Sequence, residues 1–506
     1  MAVHSAEASA LADQSTSADR AHARRWWVLA TLALAQVMVV LDSTIVNIAL
    51  PTAQTDLGFS NADRQWVVTG YALAFGSLLL IGGRLADFFG RKWALLVGLT
   101  GFALASAVGG AAVNFGMLVT ARAVQGAFGA LLAPAVLALL TTTFSDPKER
   151  GKAFGIFGGI AGAGASIGLL LGGFLTEYAS WRWTLYVNLI IAVVTFAGAM
   201  IFLPRHVREG ERAGNDTWGT ISITAGLFAV VYGFSNADQH GWGAGLTITS
   251  LIVGAVLLVA FVLIEQRVSN PILPLRVVLD RNRGGAFLVM FLAGIGMFAV
   301  FLFLTYYLQA ILRYSAVKSG VAFLPMTGMI IVVASLGSAV LVTRISSRIL
   351  IPIGMAASAF GLYLLTHISV SGNYVSVVLP ATMIMGAGLG LVFAPAFNLA
   401  VLGVEPDDAG VASAAVNVMQ QIGGSVGTSL FNTIAGTVVT TYLTSHLVGL
   451  SPGSPAYLLT QANAQLHSYT VAFWIAAAVF AGGAIISALV LRSGVAQGDN
   501  EPAMMH

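Results

Sequence analysis

The chain has 506 residues, 57% of them apolar and only 9% charged, with a mean hydropathy of +0.85. That composition excludes a water-soluble globular protein and requires the bilayer as solvent. The net charge of +3 comes from basic residues dispersed in twos and threes between apolar runs, not from the dense patch that a nucleic-acid partner needs, and the absence of cysteine excludes disulfides, thiolate nucleophiles and Cys-ligated metal centres together.

Residues 1–25 are rich in Ala, Ser, Asp and His without an apolar core, and read as a disordered cytoplasmic tail, not a cleavable signal. From Trp26 onward the chain is a succession of apolar runs of about 20 residues, the length that crosses a bilayer as a helix. They predict an all-α membrane protein with fourteen spans, near 26–50, 64–83, 93–112, 115–143, 152–176, 183–203, 218–236, 244–265, 284–312, 319–342, 349–367, 375–398, 409–441 and 470–491. The longest inner loops, 204–217 and 266–283, bracket the pair at 218–236 and 244–265. The organisation that follows is an N-terminal six-helix bundle over 26–204, an inserted helix pair with its loops over 205–283, a C-terminal six-helix bundle over 284–491 and a cytoplasmic tail over 492–506. A long uncharged outer connection is expected over 442–469.

Lys and Arg accumulate on cytoplasmic loops. With the N-terminus inside, the outer side receives only Arg64, Arg182, Arg313 and Lys318, and Arg122 falls within the membrane. Every other Lys and Arg lies on the inner side, so both termini are expected in the cytoplasm of a cell whose inner membrane carries this protein. All nine tryptophans fall near predicted helix ends, where an amphipathic ring prefers the interface.

An ionisable side chain in hydrocarbon is costly unless it is paired or borders water. Assigning each Asp, Glu, Lys and Arg to a loop or a helix leaves Asp42 in the first span and Arg122 in the fourth as the two deep charges. At 1.5 Å per residue both sit roughly 10–14 Å from the outer ends of their helices, and can share one depth. Two readings are open: a static pair that fixes helix register, or a carboxylate that carries a coupling proton while Arg122 tunes it. Between the second and third spans, Gly83-Arg84-Leu85-Ala86-Asp87-Phe88-Phe89-Gly90-Arg91-Lys92 places two glycines at a tight turn, a carboxylate able to cap a neighbouring helix, and basic residues suited to the anionic inner face. In the fifth span, Gly168, Gly172 and Gly173 leave a nearly smooth face for close helix packing.

These residues resemble the major facilitator superfamily, whose inner loop reads G-x-L-A-D-x-x-G-R-K. The segment Leu41-Asp42-Ser43-Thr44-Ile45-Val46-Asn47-Ile48-Ala49-Leu50-Pro51 is similar to the L-D-x-T-V-V-N-V-A-L-P of its fourteen-helix drug:proton antiporter branch. Arg122-Ala123-Val124-Gln125-Gly126, Trp181-Arg182-Trp183 with Asn188, and Gly410-Val411-Ala412-Ser413 with Asn417, Gln421, Gly423, Gly424 and Gly427 resemble further motifs of that branch. Leu169 departs from it, standing where the branch places a proline, and Thr343-Arg344-Ile345-Ser346-Ser347-Arg348 lacks the aspartate of the first-half loop.

The resemblance implies a secondary active exporter of small lipophilic compounds, of drug or antibiotic type, exchanging them for protons by alternating access. Its partners would be the substrate, protons and the bilayer, with no cofactor, metal, ATP or nucleic acid, and the monomer as the working unit. Candidate cavity residues are Asn47, Gln125, Tyr306, Tyr307, Gln309, Asn398, Asn417, Gln420 and Gln421. No carboxylate lies in any predicted span of the second half, so the cavity is expected to suit neutral, singly cationic or weakly acidic lipophiles. None of the four lysines sits in a phosphate-binding loop, which excludes an ATP-driven pump, and His240, His367, His446 and His467 are scattered, which leaves a membrane enzyme without a constellation. A lipid or metabolite transporter of the same superfamily, or a non-transporting receptor, is the alternative.

Overall fold

The computed structural model describes residues 2–59, 64–144, 146–203, 216–268, 271–336, 345–405, 408–447, 451 and 453–492, with most side chains from Arg24 onward. The first eight helices are α1 (Ala2–Leu57), α2 (Arg64–Phe89), α3 (Arg91–Gly110), α4 (Phe115–Thr143), α5 (Pro147–Tyr178), α6 (Trp183–Phe202), α7 (Thr217–His240) and α8 (Gly245–Glu265). A short α9 (Leu275–Leu279) leads into α10 (Arg281–Ala299), which continues through two π-helical turns, Val300–Leu304 and Tyr307–Ile311. Then follow α11 (Ala316–Leu336), α12 (Ser347–Leu365), α13 (Leu379–Val401, entered by a π turn at Tyr374–Val378), α14 (Ala409–His446) and α15 (Pro455–Val490). Among the described residues twelve helices are long and apolar enough to cross a membrane. The other two long helices, α5 and α14, are richer in Gly, Ser and Thr.

Two boundaries differ most from the sequence expectation. The helix α1 begins at Ala2, inside the segment read as a disordered tail, because its many alanines are strong helix formers even without an apolar face. The long outer connection shortens to 447–454, since α15 starts at Pro455 and not near 470. Ser454 caps that start by accepting from the Tyr457 amide at 3.2 Å, and proline at the first helical position suits the fixed geometry there. The tail over 492–506, the loop over 204–215, and Thr343 and Arg344 lie outside the described residues, apart from Arg492.

One packing pattern occurs twice. The helix α1 packs on α4, α5 and α6, α2 packs on α4, and α3 packs on α4 and α6; in the same way α10 packs on α13, α14 and α15, α11 on α13, and α12 on α13 and α15. Across the middle, α5 meets α11 and α13 while α14 meets α2 and α4. Residue chemistry repeats with the pattern. The Arg24 guanidinium donates to the Ile201 and Phe202 carbonyls that end α6, and Arg281 donates to the Leu489 and Val490 carbonyls that end α15. In both cases a cation satisfies the last carbonyls of a helix and complements its negative end.

Small residues let these helices approach closely. A Cβ at Gly168 of α5 would overlap Thr44 of α1, and one at Gly172 would stand 2.9 Å from Ile45; Gly173 is buried beside them. On the other half, a Cβ at Gly427 of α14 would stand 2.7 Å from the Ile295 carbonyl of α10. Leu169 is buried, and α5 passes through it without a break. Where the outer surface is apolar it suits lipid: in α8, Ile252, Val256 and Val259 are each about 60% exposed.

Candidate functional site

Five helices of the first set converge on one buried polar cluster. Asp42 and Arg122 are 0% and 1% exposed, and Arg122 Nη1 stands 2.5 Å from Asp42 Oδ2. The shared depth expected from helix arithmetic therefore brings them into an ion pair. The pair is not alone. Gln125, one turn further along α4, accepts from Arg122 Nη1 at 2.6 Å and donates to Asp42 Oδ1 at 2.6 Å. Asn188 of α6 donates to the same oxygen at 2.6 Å, and the Ser106 hydroxyl of α3 accepts from Gln125 Nε2 at 2.6 Å. Arg122 also reaches α2: its Nε donates to the Val67 carbonyl at 3.3 Å, and its guanidinium lies 4.4 Å from the centroid of the Tyr71 ring. Asp42 thus accepts from three side chains, the arrangement that makes a buried carboxylate tolerable.

A cavity of about 720 Å³ lies beside this cluster, bounded by α1, α2, α7, α10 and α14. Its polar groups are hydroxyls and amides, among them Thr69, Ser235, Gln421, Thr428 and Asn432, and among the described residues no charged side chain lines it. Leu50 of α1 and Val68 of α2 belong to its wall. The helix α2 therefore separates the two features: Val67 and Tyr71 touch Arg122 on one face, while Val68, Thr69 and Ala72 border the cavity on the other.

Of the cavity residues expected from the sequence, Tyr306 and Gln421 line this space. Gln125 does not; it is 1% exposed and committed to Asp42 and Arg122. Tyr307 turns away and donates to the Ser369 carbonyl at 3.0 Å, and Asn417 donates to the Ser413 carbonyl at 2.9 Å. Asn398 is buried on α13, and Gln309 and Gln420 are half-buried; none of the three borders the cavity. The side chain of Asn47 lies outside the described residues.

At the opposite end of α2 the two helix sets touch. Gly90, at φ +102°, makes the single-residue turn between α2 and α3, a conformation that favours glycine. The Arg91 guanidinium donates to Asp87 Oδ1 at 3.3 Å, and the Asp87 carboxylate lies against the Gly410 backbone in the first turn of α14. Gly83 meets the same turn, where a Cβ would stand 2.7 Å from the Gly410 carbonyl. Lys92 donates to the Leu203 carbonyl at 2.5 Å, at the end of α6. Arg84 is half-buried on the same stretch. Beyond the expected residues, Glu265 at the end of α8 is 5% exposed and accepts from the Ile272 and Leu273 amides at 3.1 and 3.2 Å. Its place at a helix end, where a carboxylate is ordinarily solvated, gives no sequence signal of burial.

Comparison with known proteins adds three findings. The model of the Major Facilitator Superfamily matches residues 32–428. The puromycin resistance protein pur8 of Streptomyces alboniger is 47% identical over 96% of this chain and 95% of its own length, and the cephamycin export protein CmcT of Amycolatopsis lactamdurans is 37% identical over 79% and 83%. Among solved structures, the human organic anion transporter MFSD10 (TETRAN) superposes with a TM-score of 0.59 at 14% identity, over 92% of this chain and 99% of that one, a likeness of fold.

Proposed function

This chain belongs to the major facilitator superfamily, a family of multi-pass membrane transporters, and from that premise we propose that it exports small lipophilic compounds of antibiotic type from the cell in exchange for protons. The reading includes fourteen spans, two six-helix bundles joined by the α7–α8 pair, both termini in the cytoplasm of the cell membrane, and a monomer as the transporting unit. The observation that carries it is the juxtaposition of a fully buried Asp42–Arg122 pair with an uncharged cavity on the other face of α2. The names of the relatives, which speak of puromycin resistance and cephamycin export, support the class of compound.

The coupling follows from the contacts. Protonation of Asp42 removes the charge that holds Arg122, and Arg122 in turn holds the Val67 carbonyl and the Tyr71 ring. A change there is transmitted to Val68, Thr69 and Ala72 on the cavity wall. Substrate and proton then bias one equilibrium between two arrangements of the helix sets. On this reading the Gly83, Asp87 and Gly410 contact closes the inner end in the arrangement described, and opens in the other. Proteoliposomes with an imposed pH gradient, acidic on the outer face, are expected to move puromycin uphill; puromycin flux that ignores the gradient would refute proton exchange.

Two further outcomes are expected. Because the chain has no cysteine, Arg64→Cys and Gly210→Cys each create a single thiol, and in intact cells an impermeant reagent should label position 64 alone. Labelling at 210 would invert the orientation. Because the cavity offers no anion to offset the desolvation of two charges, a divalent cationic dye should be exported much more slowly than neutral or singly charged compounds. Equal rates for the two classes would count against the cavity as the site.

A further inference from the structure

The α7–α8 pair does not sit uniformly at the periphery. In the apolar stretch of α7 39% of the residues are buried and in that of α8 only 17%, so α7 faces protein where α8 faces lipid. Contacts on both sides seat α7 across the gap between α2 and α14. On the α2 side, Thr69 Oγ1 and Ser235 Oγ share a hydrogen bond of 2.9 Å, the Trp66 and Tyr232 rings lie 6.2 Å apart, and a Cβ at Gly76 would stand 3.8 Å from Val231. On the α14 side, Trp242 Nε1 donates to Thr433 Oγ1 at 3.0 Å, and Phe234 packs edge-on against Trp242 at 5.7 Å. With α7 pinned at both edges, Val231, Phe234 and Ser235 form part of the cavity wall.

We infer that α7 is a specificity-determining wall of the substrate cavity, with Phe234 limiting the size of the neutral or singly charged lipophile admitted and the Thr69–Ser235 hydroxyl pair offering it a polar contact. The inference rests on the export reading for the word substrate, and on geometry alone for the wall. Phe234 is the bulkiest α7 side chain at the cavity, and its ring is held by Trp242, so it sets a fixed boundary. The hydroxyl pair is the polar group that α2 and α7 share at this wall.

The test uses the full chain, which has no native thiol. Ser235→Cys and Thr428→Cys should both react with a water-soluble methanethiosulfonate, whereas Val256→Cys on the lipid face of α8 should react at least about tenfold more slowly, because a thiol in apolar surroundings ionises poorly. Tetraethylphosphonium and tetraphenylphosphonium, equal in charge and different in bulk, then probe size by equilibrium binding. Phe234→Ala should raise the preference for the larger cation, and Phe234→Trp should lower it, each by about tenfold or more, since a single methylene alters pocket discrimination by about that much. An unreactive Ser235→Cys variant, where Thr428→Cys reacts, would overturn the inference. So would binding of neither cation, or Phe234 variants that leave the preference unchanged. A wild-type protein that accumulates no puromycin would instead strike the export reading, and the labelling and binding results would still decide the role of α7.

Discussion

Asp42→Asn is expected to yield a folded, membrane-inserted protein that still binds its compound and no longer accumulates it when a pH gradient is imposed. Asparagine is nearly isosteric with aspartate, and its carbonyl can go on accepting from Gln125 and Asn188, which stand 2.6 Å from Asp42 Oδ1. What it cannot do is change charge. Arg122 would then face the same partner in every state, and the contacts it makes to Val67 and Tyr71 would no longer depend on proton supply. Breaking a buried pair by removing one charge is worth about 3–5 kcal/mol, and about 5.5 kcal/mol carries a two-state equilibrium from one extreme to the other, so losing this switch should remove nearly all gradient-driven transport. Counterflow, which needs binding and exchange but no net proton movement, should survive. Unaltered, fully pH-dependent accumulation by Asp42→Asn would leave Asp42 as a structural charge.

The second large effect is on stability. Arg122→Met keeps an apolar stem over Tyr71 and deletes the guanidinium, leaving Asp42 buried with amide donors alone. An uncompensated buried charge of this kind should destabilise the protein by about 3–5 kcal/mol. Adding Asp42→Asn to the same chain removes the stranded carboxylate and should recover about 2 kcal/mol or more, since replacing both members of a buried pair is often close to neutral. Thermal melting of the purified single and double variants measures this. A double variant as unstable as the two single effects summed would show that the residues act independently, and would remove the electrostatic link on which the proposed coupling depends.

Much of this architecture is legible in the amino-acid sequence. Apolar run lengths locate the helices because the bilayer sets their length, and the depth of Asp42 and Arg122 follows from rise per residue alone. Their helical facing does not follow from such arithmetic, yet two lone opposite charges in hydrocarbon have few stable options other than each other. Ser106 and Tyr71 give no comparable signal, because a serine or tyrosine in an apolar helix serves equally well in packing, capping or a network. Asn188 stands out only as part of a motif. Gln125 falls among the cavity candidates because an amide is ambiguous, and only its direction around α4 separates the ion pair from the cavity. The same ambiguity spreads the second-half candidates over residues of which Tyr306 and Gln421 alone reach the cavity. The beginning of α15 is hidden by Pro452 and Pro455, which read as a loop although the second of them opens the helix.

The two wide turns of α10 bear on how the lining of the cavity could be altered. A π turn holds one residue more than the ladder around it needs, and successive residues on an α-helix are about 100° apart around the axis. Tyr306 sits between the turns at Val300–Leu304 and Tyr307–Ile311, with its ring on the cavity wall. Tightening the first turn by one hydrogen-bond register would rotate Tyr306 out of the space and bring a neighbour into its place, while the base of α10 and its anchor at Arg281 stayed where they are. One wall of the cavity can thus be re-faced by screw motion within a single helix, without a rigid-body tilt of the bundle that carries it.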